Sequence, residues 1–108
     1  MIMSSLPGTW DLAMRSPIGT ITATMHFVAD GDTLTGVATG RDEQVPLRDV
    51  RVETGPGGER VTWSQSITRP MRLNLEFEVI VTGDHMEGHS RAGRLPRTSV
   101  TGRRVPTP

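Results

Sequence analysis

The sequence predicts an all-β chain of about eight short antiparallel strands that closes into an up-and-down barrel. Three observations carry this. Apolar residues alternate with polar ones along most of the chain, the breaks between alternating runs are filled by Gly, Pro and Asp, and no segment keeps a helical period beyond two turns. Eight strands is the number at which a closed sheet encloses its own side chains or one small ligand. With 108 residues the chain fits a single domain, 1–108. Residues 8–104 would form the ordered barrel, and Val105-Pro106-Thr107-Pro108 a loose tail, because its prolines cannot donate to a ladder.

The first strand is expected at residues 9–14, ended by Ser16-Pro17-Ile18-Gly19, and the second at 20–29. Asp30-Gly31-Asp32 then makes a tight reversal into 33–39, since Asp-Gly is a strong hairpin signal. A fourth strand at 44–53 contains Pro46, which predicts a bulge or an edge position there. Its apolar parity also changes: Val45 and Leu47 share one face, whereas Val50 and Val52 share the other. After the loop Thr54-Gly55-Pro56-Gly57-Gly58, strands follow at 60–68, 71–82, 85–91 and 97–104.

A weak internal repeat fits the same count. Gly31-Asp32-Thr33-Leu34-Thr35-Gly36 matches Gly83-Asp84-His85-Met86-Glu87-Gly88, and Val45-Pro46-Leu47 parallels Leu95-Pro96-Arg97. Two four-strand pseudo-repeats are one reading of these matches, and chance similarity among Gly-rich hairpins is the other.

Composition excludes several function classes. Twelve basic residues balance twelve acidic ones, so the field expected of a nucleic-acid or anionic-membrane binder is missing. All twelve basic residues are Arg, which reads as codon bias in a GC-rich, bacterial genome. Without Lys there is no Schiff-base chemistry, and without Cys no disulfide framework, thiolate nucleophile or Cys-based metal site. The opening residues carry neither a basic flank nor a long apolar run, so no signal peptide or membrane helix is expected there, and a cytoplasmic location is favoured. No dinucleotide fingerprint, phosphate loop or Ser-His-Asp spacing is present, and no cofactor is expected.

Gly8-Thr9-Trp10 at the first strand resembles the G-x-W start of calycin barrels, the lipocalins, fatty-acid-binding proteins and avidins. Thr101-Gly102-Arg103-Arg104 is similar to the basic segment that covers that Trp from their last strand, and Ala29-Asp30-Gly31 with Leu34-Thr35-Gly36 resembles the avidin start. The resemblance implies a calycin-like barrel with Trp10 plugging one end and a guanidinium stacked on it. Arg104 is preferred to Arg103 because it shares parity with Val100. It also implies small-ligand binding, but avidin-type biotin recognition does not carry over to a chain with no Tyr and only Trp63 besides Trp10.

Alternation assigns an interior set. It contains Trp10, Leu12, Met14, Ile21, Ala23, Met25, Phe27, Leu34, Ala38, Val61, Trp63, Gln65, Ile67, Met71, Leu73, Leu75, Phe77, Val79, Val81, Met86, Gly88, Ser90 and Val100. Met14, Met25, Phe27, Trp63, Gln65, Met71, Phe77, Met86 and Ser90 are the expected ligand-binding residues. Gln65 and Ser90 are the polar exceptions inside, and each needs a partner from protein, water or ligand.

Gln65, Ser90, His26 and Arg104 are the weak catalytic candidates. His26 opposes Met25 and Phe27 and should point outward, unless a bulge turns it inward as a general base. His85 and His89 lie roughly 13 Å apart along a strand, too far to share one ion, and no metal site is expected. Asp49 and Arg51 follow the Pro46 irregularity and could line the barrel mouth or form an exposed pair.

The leading expectation is a lumen that binds a small, largely apolar molecule, as a cofactor-independent cyclase or isomerase working by shape. A non-catalytic lipocalin-like carrier, and a packed barrel acting as an interaction module, are the alternatives, and a homodimer is compatible with all three.

Overall fold

The computed structural model describes residues 6–16, 19–40, 43–68 and 72–106. It holds nine strands and no helix among these residues: β1 (Gly8–Ser16), β2 (Gly19–Asp30), β3 (Thr33–Thr39), β4 (Gln44–Pro46), β5 (Arg48–Gly55), β6 (Gly58–Ile67), β7 (Leu73–Thr82), β8 (His85–Ala92) and β9 (Thr98–Arg104). All pairings are antiparallel and form one sheet in the order β4-β3-β2-β1-β9-β8-β7-β6-β5.

The two outermost strands of that order are neighbours in the chain, separated by Leu47 alone. One continuous path therefore closes the sheet into a nearly complete eight-position barrel. Its first half pairs with β3, ending at the Leu47 N–H that donates to the Gly36 carbonyl at 2.8 Å. Its second half pairs with β6 from Arg48 opposite Ser64 onward, with a register shift between Arg48 and Arg51. Asp49, inside that shift, takes φ 53°, a left-handed conformation that Asp tolerates better than most residues. The extra residue explains the parity change read from the sequence: Val45 and Leu47 are buried before the bulge, and Val50 and Val52 turn to the core after it.

Both reversals of the suspected repeat are two-residue hairpins, with Asp30 opposite Thr33 and Thr82 opposite His85. The turn residues are Gly31-Asp32 and Gly83-Asp84, and the positive φ falls on the glycines, at 63° and 60°. Gly is thus the first central residue, as type II′ turns require, and Asp30 is the last residue of a strand rather than part of the turn.

The core follows the alternation. Trp10, Leu12, Met25, Phe27, Val61, Trp63, Phe77, Val79, Val81, Met86 and Val100 are all at most 2% exposed. Each such side chain stabilises the fold by roughly 1.5–3 kcal/mol before ordering costs. Gly88 faces inward where β7 passes so closely that a Cβ would meet the backbone of Glu78 and Val79. Ile21 has inward parity but is 53% exposed, because it lies at the rim, paired with Met14. Leu6, absent from the expected interior, is fully buried. Val105, placed in the tail by sequence, donates its N–H to the Thr9 carbonyl at 2.8 Å and prolongs the β9 side of the barrel.

Candidate functional site

The two ends of the barrel are built differently. At one end β1 carries Trp10 inward, and the indole Nε1–H donates to the Leu6 carbonyl at 2.9 Å, which folds the chain before Pro7 under the ring. Arg104, directly across on β9, lays its guanidinium over the indole with Cζ 4.4 Å from the ring centroid. The same guanidinium donates to the Pro7 carbonyl at 2.8 Å and pairs with Asp84 at 2.9 Å, while the Arg104 N–H donates to the Asp84 carbonyl. Met25 and Met86 pack against this plug, and Met86 occupies the space that Gly102 leaves open. This end is a filled, cross-tied stopper.

Next to the stopper the inner wall is aromatic, running from Phe27, paired with Gly8, across to Trp63 and Phe77. Trp63 and Phe77 are cross-strand partners stacked at 4.8 Å, and Phe27 meets Trp63 edge-on at 5.4 Å. Gln65, two residues beyond Trp63 on the same face, accepts the Trp63 indole Nε1–H on Oε1 at 3.1 Å. Ser90 lies directly opposite Phe77 on β8. Gln65 and Ser90 are each 3% exposed. Among the described residues, neither Gln65 Nε2 nor Ser90 Oγ has a hydrogen-bond partner. Around them the apolar side chains are less covered than at the plug: Ala23, Ile67, Leu73 and Leu75 are half-buried, and Ile21 is exposed.

The structure therefore brings together Trp63, Phe77, Phe27 and Gln65, with Ser90 against Phe77. Met14 is buried near the rim, while Met25 and Met86 belong to the stopper. Arg104 also belongs to the stopper, remote in register from Gln65. Met71 lies outside the described residues. His26 points outward with its Nδ1 hydrogen-bonded to the Thr9 hydroxyl at 2.8 Å. His85 is exposed, and His89 faces Glu78 on the outer surface at 3.8 Å. No group of three or more His, Cys, Asp or Glu able to hold a metal occurs among the described residues.

Two depressions flank the closing strand path. One, about 350 Å³, is lined by Arg48, Asp49, Ser64, Asn74, Leu75, Glu76 and Gly93. The other, about 320 Å³, lies where β3 and β5 run side by side without pairing, between Asp32, Leu34, Val50, Arg51 and Val52. Asp49 and Arg51 thus line openings in the side wall at the seam. The seam itself is fastened by side chains: the Glu43 carboxylate accepts both the Thr68 N–H at 2.8 Å and the Thr68 hydroxyl at 2.7 Å. Arg48 donates to Ser66 at 2.8 Å, and Ser66 to Asn74 at 2.7 Å. Nothing in the local sequence signals the Glu43 clasp, because it joins residues 25 apart across an irregular loop.

On the outer face, Arg60 bonds Glu78 at 2.6 Å and reaches Glu53 at 3.4 Å. The Arg60 hydrogen bond, helped by the charges of Arg60, His89 and Arg97, holds the Glu78 carboxyl below the usual carboxylate range against the desolvation that opposes it. This cluster is remote from the lumen.

No protein-family model and no curated protein matches the chain. Among solved structures it is similar to a redesigned β-barrel, with a TM-score of 0.69 and 18% identity, covering 94% of this chain and 92% of that one. At that identity the likeness shows the fold alone: an all-β, nearly closed antiparallel barrel.

Proposed function

We propose that this chain is a small-molecule-binding barrel of the calycin kind, whose ligand sits at the end opposite Trp10, against Trp63 and Phe77. The observation that carries the reading is the pair Gln65 and Ser90, two polar side chains taken almost fully out of water with polar atoms that no described residue satisfies. Gln65 Nε2 and Ser90 Oγ are not among the buried atoms left unsatisfied, so each keeps contact with solvent, where water or a polar atom of a ligand can complete it. The half-buried apolar rim of Ala23, Ile67, Leu73 and Leu75 supplies the surface on which an apolar body would rest. The Trp10 and Arg104 arrangement supports the calycin comparison.

The reading is of a binder rather than a catalyst. Among the described inward positions of the open end, Met14, Ala23, Gln65, Ile67, Leu75 and Ser90 carry no titratable group to act as donor or base in proton transfer. A cyclase or isomerase working by shape would be recognised by product formation, and a carrier returns its ligand unaltered.

Titration with a neutral naphthalene ketone dye tests the proposal. A saturable one-to-one blue shift is expected, weakened at least tenfold by Ala23→Phe, which fills the rim. Absence of saturable binding up to millimolar dye, or binding indifferent to Ala23→Phe, would remove the open end as a ligand seat.

A further inference from the structure

We infer that the seat beside Trp63 is polarised to donate, and so selects a neutral ligand carrying a carbonyl oxygen on an apolar body. This rests on the binding reading above and goes further by fixing the ligand's polar chemistry.

An amide side chain offers one acceptor oxygen and two donor hydrogens, and which end points where is settled by its partners. Here the partner is unambiguous. The Trp63 indole nitrogen can only donate, and it lies 3.1 Å from Gln65 Oε1. The amide oxygen is thereby engaged on the aromatic wall, and rotating the amide would set two donors against each other. Gln65 Nε2 is left as the uncommitted half of the group, a donor with no partner among the described residues. Trp63 is itself held by Phe77, stacked at 4.8 Å, and by Phe27 at 5.4 Å, so the orientation of the amide is fixed by packing before any ligand arrives.

Ser90 adds a hydroxyl on the far side of Phe77, also without a partner among the described residues. A hydroxyl can turn its hydrogen toward an acceptor, so Ser90 is a second donor on the same inner face, one strand beyond Phe77. A carboxylate would satisfy them too, yet it would enter a 3%-exposed site with its charge uncompensated. Among the described inward positions of this end no basic residue is present, and the Arg104 guanidinium is committed at the stopper to Trp10, Pro7 and Asp84. A neutral ketone, aldehyde or ester therefore fits best.

The test compares 2-undecanone, n-undecane and undecanoate by ¹H–¹⁵N correlation spectra. The chain has only three carboxamide side chains, Gln44, Gln65 and Asn74, so the Gln65 amide protons are readily assigned. Expected is a downfield shift of one Gln65 amide proton with 2-undecanone and none with n-undecane, and affinity for the ketone about five- to tenfold above that for the alkane, as one net hydrogen bond provides. Undecanoate should bind more weakly than the ketone at pH 8. Gln65→Met should erase the ketone preference, so that ketone and alkane bind the variant within twofold of each other. Ser90→Ala, which orphans no neighbour, should reduce the preference at least twofold and guards against a folding defect in the first variant. Equal affinities for ketone and alkane, an unmoved Gln65 amide, or a preference for undecanoate would overturn the inference while leaving a ligand seat in place. Failure of all three probes to bind would remove the seat itself.

Discussion

The stopper and the open mouth of this barrel are made from the same alternating pattern, yet they settle their polar groups in opposite ways. At the stopper the two largest polar groups are tied within the chain: the Trp10 indole to Leu6, the Arg104 guanidinium to Pro7, Asp84 and the indole face. At the mouth the Trp63 indole is tied to Gln65, but the other half of that amide and the Ser90 hydroxyl end without a partner among the described residues. The first arrangement is what stability alone favours. The second leaves two donors uncommitted, the groups that the proposed ligand would complete.

Substitutions at the two ends should therefore differ in kind. Trp10→Ala removes the largest fully buried ring and leaves Arg104 without its platform, so urea unfolding should show a loss of about 3–5 kcal/mol. A loss well below 1 kcal/mol would mean that the ring is no plug. Arg104→Met keeps much of the apolar contact but removes the cation from the indole and the bond to the Pro7 carbonyl, and a loss of about 2 kcal/mol is expected. The ion pair with Asp84 adds little to that figure, since the Asp84 side chain is 74% exposed. At the mouth, Ile21→Ser should change stability by no more than about 0.5 kcal/mol, although Ile21 shares the inward parity of Met25. A cost comparable to that at Trp10 would show that the rim is part of the core and erase the contrast.

The smallest effect lies on the outer wall. Glu78 has its carboxyl held low by the Arg60 hydrogen bond, so its contribution is complete above the unfolded carboxylate value of about 4.3 and is lost as pH falls through the lower folded value. Glu78→Gln should flatten that acid limb slightly in thermal melts between pH 2 and 5, and leave ligand binding unchanged. An effect on binding would connect the outer face to the lumen.

Much of this architecture was legible in the sequence because a barrel wall obeys a period of two. The parity change across Pro46 marked where the strand would break, and the structure supplies the reason in the bulge around Asp49 and the transfer from β3 to β6. Parity with Val100 also sufficed to choose Arg104 over Arg103 as the cover of Trp10. Parity says which face a residue takes but not how high along the axis it sits. That is why Ile21 was expected inside and lies exposed at the rim, and why Met25 and Met86 were grouped with Gln65 although they pack at the stopper. Leu6 carries no signal in the alternation, because Pro7 interrupts the pattern before it. The Trp63 to Gln65 bond joins residues two apart on one strand, a spacing the sequence displays, but only side-chain geometry shows that the amide oxygen is the end that is used.

The two indoles make the contrast directly measurable. With ¹⁵N-labelled protein, the indole N–H resonances of Trp10 and Trp63 report the stopper and the mouth separately, and saturation with 2-undecanone should move the Trp63 resonance while Trp10 stays in place. Movement of Trp10 alone, or of neither resonance at saturating ketone, would contradict a ligand seat at the open end.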